Sequence, residues 1–133
     1  AAVEFTGLPS VIAVDEDQEV ELSFGVRNKG NVDVDFELIV RTNLGEQILT
    51  HTGRLAPAAT QSLKCAVSGR YTLRSTGEAD SSGTLTAVEL RLRHTDKAGK
   101  WRDAVDGIVN LPAKVHPKKT KLATDALAGF DDV

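Results

Sequence analysis

The chain contains one cysteine, Cys65. No intrachain disulfide can form, which excludes a small secreted domain held together by bridges. Long apolar runs are also missing: nothing approaches the ~18 residues that a membrane-spanning helix needs. The leading residues Ala1-Ala2-Val3-Glu4 show no basic stretch followed by an apolar one. The chain therefore reads as soluble, with no membrane partner. Charge of one sign is scarce, with a formal net charge of -3 over 133 residues. That is too little to steer polyanions, so nucleic acid is not an expected partner. No segment sustains a helical period, and neither a nucleophile-elbow sequence nor a glycine-rich phosphate loop occurs. Enzymatic chemistry is not expected, and no catalytic residue, cofactor or metal is assigned.

What the sequence does have is alternation. Val20, Leu22, Phe24 and Val26 point one way while Glu19, Glu21, Ser23 and Arg27 point the other, as in a half-buried strand over Glu19 to Asn28. The turn cluster Asn28-Lys29-Gly30-Asn31 follows, and alternation restarts with Val32, Val34, Phe36, Leu38 and Val40, which predicts a hairpin between the two strands. A third strand is expected over Glu46 to Thr52, and Gly53 to Thr60, with Pro57, reads as a loop. Leu63, Cys65 and Val67 share one face of a short strand, and Tyr71 and Leu73 share one face of another over Arg70 to Arg74. Thr84 to His94 and Trp101 to Leu111 form a second expected hairpin around Asp96-Lys97-Ala98-Gly99-Lys100, ended by Pro112. Near the N-terminus, Val3 to Thr6 and Val11 to Val14 read as one edge strand kinked at Gly7 and Pro9.

Seven to eight strands at intervals of about ten residues predict an all-β fold, an immunoglobulin-like antiparallel sandwich over residues 1–111 with an extended C-terminal arm over 112–133. The expected core comprises Val20, Leu22, Phe24, Val26, Val34, Phe36, Leu38, Leu63, Cys65, Val67, Tyr71, Leu73, Val88, Leu90 and Leu92, with Trp101 beside them.

Three pieces carry a family likeness: Val26-Arg27-Asn28-Lys29-Gly30-Asn31, Gly53-Arg54-Leu55-Ala56-Pro57 and Gly69-Arg70-Tyr71-Thr72-Leu73. From Val20 to about Leu73 the chain resembles the cell-adhesion-related (CARDB-like) immunoglobulin-like domain of bacterial surface proteins. The resemblance implies the sandwich fold and, as one function, adhesion.

The residues that most often carry chemistry have plainer readings here. His51, His94 and His116 lack the short spacing of zinc ligands and read as structural or solvated. Cys65 falls on the apolar phase of its strand, where a thiol acts as a small hydrophobe. Asp15-Glu16-Asp17-Gln18-Glu19 offers oxygen atoms but lacks the rest of a calcium loop, and reads as a solvated turn. Lys114, Lys118, Lys119 and Lys121 form a local basic cluster without interleaved aromatics.

The arm departs most from a plain domain. It has two prolines, no alternation, and a late apolar series of Leu122, Ala126, Leu127, Phe130 and Val133. Ordering such a segment costs ~1–2 kcal/mol per residue for the backbone alone, which contacts with neighbouring subunits would offset. Leu122, Leu127 and Phe130 are the expected anchors to a partner, with Lys118, Lys119 and Lys121 contributing charge. The favoured function is a non-enzymatic structural protein of a large symmetric assembly, most specifically a capsid decoration or tail protein of a bacteriophage virion. The alternative is an adhesive or carbohydrate-binding module of a bacterial surface protein, cell-surface or secreted, with a ligand on the host surface. An accessory domain of an enzyme is the third class.

Overall fold

Glu19–Asn28 forms a strand with the bounds that its alternation predicts, and it runs through the middle of the smaller of two sheets. The computed structural model describes residues 3–42, 45, 47–69, 78–80 and 83–116, with 78–80 and 83–85 described by backbone only. Nine strands lie among them: β1 (Val3–Thr6), β2 (Ile12–Asp15), β3 (Glu19–Asn28), β4 (Val34–Thr42), β5 (Gln47–Leu55), β6 (Thr60–Ser68), β7 (Glu78–Asp80), β8 (Gly83–Thr95) and β9 (Trp101–His116). The smaller sheet has the order β1-β3-β6, and the larger β2-β9-β8-β4-β5, with β7 paired to the start of β8. All pairs are antiparallel except β2 with β9, which is parallel. The two sheets make the expected immunoglobulin-like sandwich. The strand expected over Arg70 to Arg74, with Tyr71 and Leu73, lies outside the described residues.

Four expectations about the strands are corrected. The N-terminal edge strand is not one kinked strand, because β1 pairs with β3 in one sheet while β2 pairs with β9 in the other. Gly7, at φ 71, lies in the link where the chain changes sheets. Second, β3 and β4 are not a hairpin. β3 pairs with β1 and β6, and β4 with β5 and β8, so the link from Asn28 to Val34 crosses between layers. Alternation fixes which side of a strand is buried but not which strand lies beside it. Third, β5 continues through Gly53 and Arg54 to Leu55, and only Ala56 to Ala59 form the turn into β6.

Fourth, Pro112 does not end the last strand. β9 continues to His116, with Ala113 and Val115 fully buried and paired to Ile12 and Val14 of β2. The sandwich therefore extends past the expected boundary at residue 111. Proline is tolerated in a strand where its missing N–H meets an open edge. Pro112 is exposed and sits one residue before β2 begins to pair.

The core fills the space between the layers in two clusters. One gathers Leu22, Leu38, Val40, Val67, Val88, Leu90, Leu111 and Ala113, and the other Val3, Val26, Val34, Phe36, Leu55, Leu92 and Ala104. Phe36, Leu38, Leu90 and Leu92 are wholly buried, each worth about 1.5–3 kcal/mol in burial. Trp101, expected beside the core, is instead 42% exposed. It pairs with Thr95 on the outward phase of β9, and the strand then changes phase at a bulge before Leu111 turns inward.

Candidate interaction surface

The last hairpin is built for rigidity at its tip. Asp96 accepts hydrogen bonds from the backbone N–H groups of Ala98 and Lys100, both at 2.9 Å, and from Arg102 Nε at 2.8 Å. Arg102 first, and then these backbone donors, hold the Asp96 carboxyl below the usual carboxylate range. Gly99, at φ 79, closes the turn.

Beyond the turn, β9 leaves register with β8. Arg93 pairs with Asp103 and Arg91 with Ile108, so the segment Ala104 to Gly107 faces Leu92 alone. This is a large irregular bulge, and among the described residues no strand pairs with the other edge of β9 before Ala113. Asp106 adopts φ 56, an uncommon conformation for a residue with a side chain. A Cβ at Gly107 would press on the Leu92 carbonyl and on Ala104, so only glycine fits without displacement. The bulge tucks Ala104 into the core and leaves Val105 79% exposed. Ile108 is 51% exposed on the same stretch.

Trp101, Val105 and Ile108 therefore form an apolar ridge along one strand, beside an organised set of charges. The Arg93 guanidinium carbon lies 5.9 Å from the Trp101 ring centroid, within cation–π range. Arg93 is also 3.5 Å from Glu37 and 3.8 Å from Asp103. Arg91 donates two hydrogen bonds to Asp103, each at 3.2 Å. Further across the outward face, Arg41 donates to Glu89 at 3.0 Å and Arg54 to Asp35 at 3.1 Å. Tryptophan and arginine are the side chains most enriched at the energetic centres of protein interfaces.

Lys118, Lys119, Lys121, Leu122, Leu127 and Phe130 lie outside the described residues. Lys114 is half-buried on β9 and has an interaction partner. His51 lies on β5 against Phe36, His94 is buried on β8 with Nδ1 3.0 Å from the Thr95 carbonyl, and His116 closes β9. Cys65 is buried, and burial pushes its thiol up to about 11. The acidic run forms the tight turn between β2 and β3, with Gln18 N–H on the Asp15 carbonyl and Gly69 N–H on that of Gln18. Among the described residues, no three His, Cys, Asp or Glu side chains group closely enough to hold a metal ion.

Alternation from Trp101 to Leu111 does not show the ridge, because the strand runs on through the bulge and only its burial phase shifts. Its signal was the dipeptide Asp106-Gly107, a turn-type pair inside a strand pattern, which marks a bulge.

Comparison with known proteins agrees with this architecture. No protein-family model matches the chain, and no curated protein sequence matches it either. Solved structures do. The CARDB domain of a Pyrococcus furiosus protein, solved in complex with di-metal ions, superposes with a TM-score of 0.55 at 15% identity, covering 86% of this chain and 89% of that one. The YadV chaperone superposes at 0.53 with 11% identity, covering 91% of this chain and 54% of that one. The chain is thus similar in fold to a CARDB domain, and it spans about half of the chaperone's length.

Proposed function

We propose that the chain is a non-enzymatic immunoglobulin-like module that binds another protein through the β9 ridge. The observation that carries this reading is the exposure of Trp101, Val105 and Ile108 on a bulged strand beside the Arg93 and Arg91 pairs. Contiguous exposed apolar surface rimmed by polar residues marks protein interaction sites. The likeness in fold to a CARDB domain and to a chaperone supports a binding role by analogy alone.

The test compares the intact chain with Trp101→Ala and Val105→Ser, each immobilised and exposed to material from the native source. A specific partner should be retained by the intact chain and lost by both variants, with thermal midpoints unchanged. Equal retention by all three would remove the ridge from the binding surface.

The assembly in which such a module would serve remains, in our reading, a bacteriophage virion, with the bacterial surface as the alternative. That part rests on residues 117–133, where Lys118, Lys119, Lys121, Leu122, Leu127 and Phe130 would contact neighbouring subunits. Truncation after His116 tests it: the shortened chain should fold but fail to enter the native assembly.

A further inference from the structure

The sheet edges are protected unequally. β1 and β2 are four residues long, and the stretch of β9 with no second partner among the described residues is interrupted by its bulge. β6 carries Lys64 at its centre. Short strands, bulges and lysines are common ways of discouraging edge pairing. β5 has none of them from Leu49 to Leu55, where it pairs with β4 without irregularity. Among the described residues, no strand pairs with its outer edge. Its one charged side chain does not guard that edge, because Arg54 is drawn back over β4 by Asp35 at 3.1 Å and Asp33 at 3.6 Å.

We propose that β5 pairs antiparallel with β5 of a second copy, about a two-fold axis at Thr52, joining the two larger sheets into one. The segment Leu49-Thr50-His51-Thr52-Gly53-Arg54-Leu55 is self-complementary in that register. Thr52 faces Thr52, a favourable cross-strand pair on the outward side. Thr50 faces Arg54, so no like charges meet. On the inward side His51 faces Gly53, over which the Phe36 ring and Gln61 of the same copy already lie, and Leu49 faces Leu55. Leu49 and His51 are only half-buried in the single copy, and the added strand would cover them. Centring the pair on Arg54 would set two guanidinium groups face to face, and centring it on His51 would leave Leu55 without an apolar partner. A foreign strand has no such match specified by this chain. The contact is small, so association should be weak and concentration-dependent.

Sedimentation equilibrium of the full chain should show a reversible dimer. Thr52→Lys sets two ammonium groups opposite each other at the axis and should weaken association at least tenfold. Its thermal midpoint should hold, because residue 52 is exposed and faces Glu37 of β4. Thr52→Cys should form an intermolecular disulfide under mild oxidation, whereas Ser62→Cys, exposed on β6, should not. A chain that stays monomeric up to its solubility limit would overturn the proposal. So would association unchanged by Thr52→Lys, or Ser62→Cys cross-linking as fast as Thr52→Cys. None of these results bears on the β9 ridge, whose variants are read by partner retention.

Discussion

The side chain of Asn28 donates a hydrogen bond to the backbone carbonyl of Leu55, 3.1 Å away and twenty-seven residues later in the chain. The same amide donates to the Val32 carbonyl at 2.7 Å, and its oxygen accepts from Gly30 N–H at 2.8 Å. The Asn28 backbone exchanges further bonds with Ala58 and Ala59. One fully buried side chain therefore fixes two crossings between the sheets: β3 to β4 and β5 to β6.

Replacing Asn28 should be costly out of proportion to its size. Asn28→Ala leaves two buried or half-buried carbonyls and one N–H without their partner, at about 1–3 kcal/mol for each group that water cannot reach. We expect a loss of about 2–4 kcal/mol, read from chemical denaturation. Asn28→Asp keeps the acceptor for Gly30 but turns a carboxylate oxygen toward two carbonyls, and should be no better than alanine. Both variants unfolding at the wild-type midpoint would remove Asn28 as the link between the crossings.

This corner also shows where the sequence is legible and where it is not. Strict alternation over Glu19 to Asn28 reveals β3 to the residue, because one side of the strand faces the core and the other faces water. The same pattern reveals that Val34, Phe36, Leu38 and Val40 are buried. It is silent on partners, since a strand looks the same whether its successor pairs beside it or crosses to the other layer. The sequence marks Asn28 as a turn former, which it is, but its reach to Leu55 depends on contacts far apart in the chain. The β9 ridge was hidden for a related reason. A bulge shifts the burial phase mid-strand, so Trp101 and Leu111 obey different registers. The anchors expected in the arm, Leu122, Leu127 and Phe130, fall outside the described residues and are not tested by the fold.

The C-terminal boundary gives the second prediction. Truncation after His116 should retain the sandwich, whereas truncation after Leu111 should not. The shorter chain loses the buried Ala113 and Val115 and the whole parallel ladder that holds β2, exposing Ile12 and Val14. Burial of the four side chains is worth about 5 kcal/mol or more, which is comparable to the total stability of many domains. Circular dichroism melts of the two truncations separate them: equal midpoints would place the domain boundary back at Pro112.

Acid should loosen the last hairpin before the core. The Asp96 carboxyl titrates below its ordinary value, chiefly because Arg102 and the turn N–H groups bind its charged form. A depressed folded value means that its stabilisation is fully present above the unfolded carboxylate value and is lost as pH falls through the folded one. Asp96→Asn should therefore lower the melting midpoint near neutrality and flatten its decline below about pH 4, in the ordinary carboxylate range. Parallel decline of the two proteins over that range would show that Asp96 does not carry the effect.

Cys65 offers the last prediction, and it concerns the core rather than the surface. Its side chain packs with Leu22, Phe24 and Val67 between the sheets, where the uncharged thiol is favoured and its value rises from 9.0 to about 11. At pH 8 a thiol of that kind is about one part in a thousand thiolate, and the thiolate is the reactive form. Labelling by a small maleimide should be slow in the native protein and fast in denaturant, with native labelling governed by unfolding. A raised folded value also sets the direction of alkaline sensitivity. The stabilisation is complete below the unfolded thiol value and is lost as pH rises toward about 11. Cys65→Ala leaves a small cavity and would blur this, so Cys65→Val, apolar and larger by about one methyl group, is the comparison that keeps the site filled. It should melt within about 1 kcal/mol of wild type at pH 7 and fall less steeply between pH 9 and 11. Rapid native labelling, or an unchanged alkaline slope in Cys65→Val, would place the thiol nearer solvent than the packing of β3 against β6 allows.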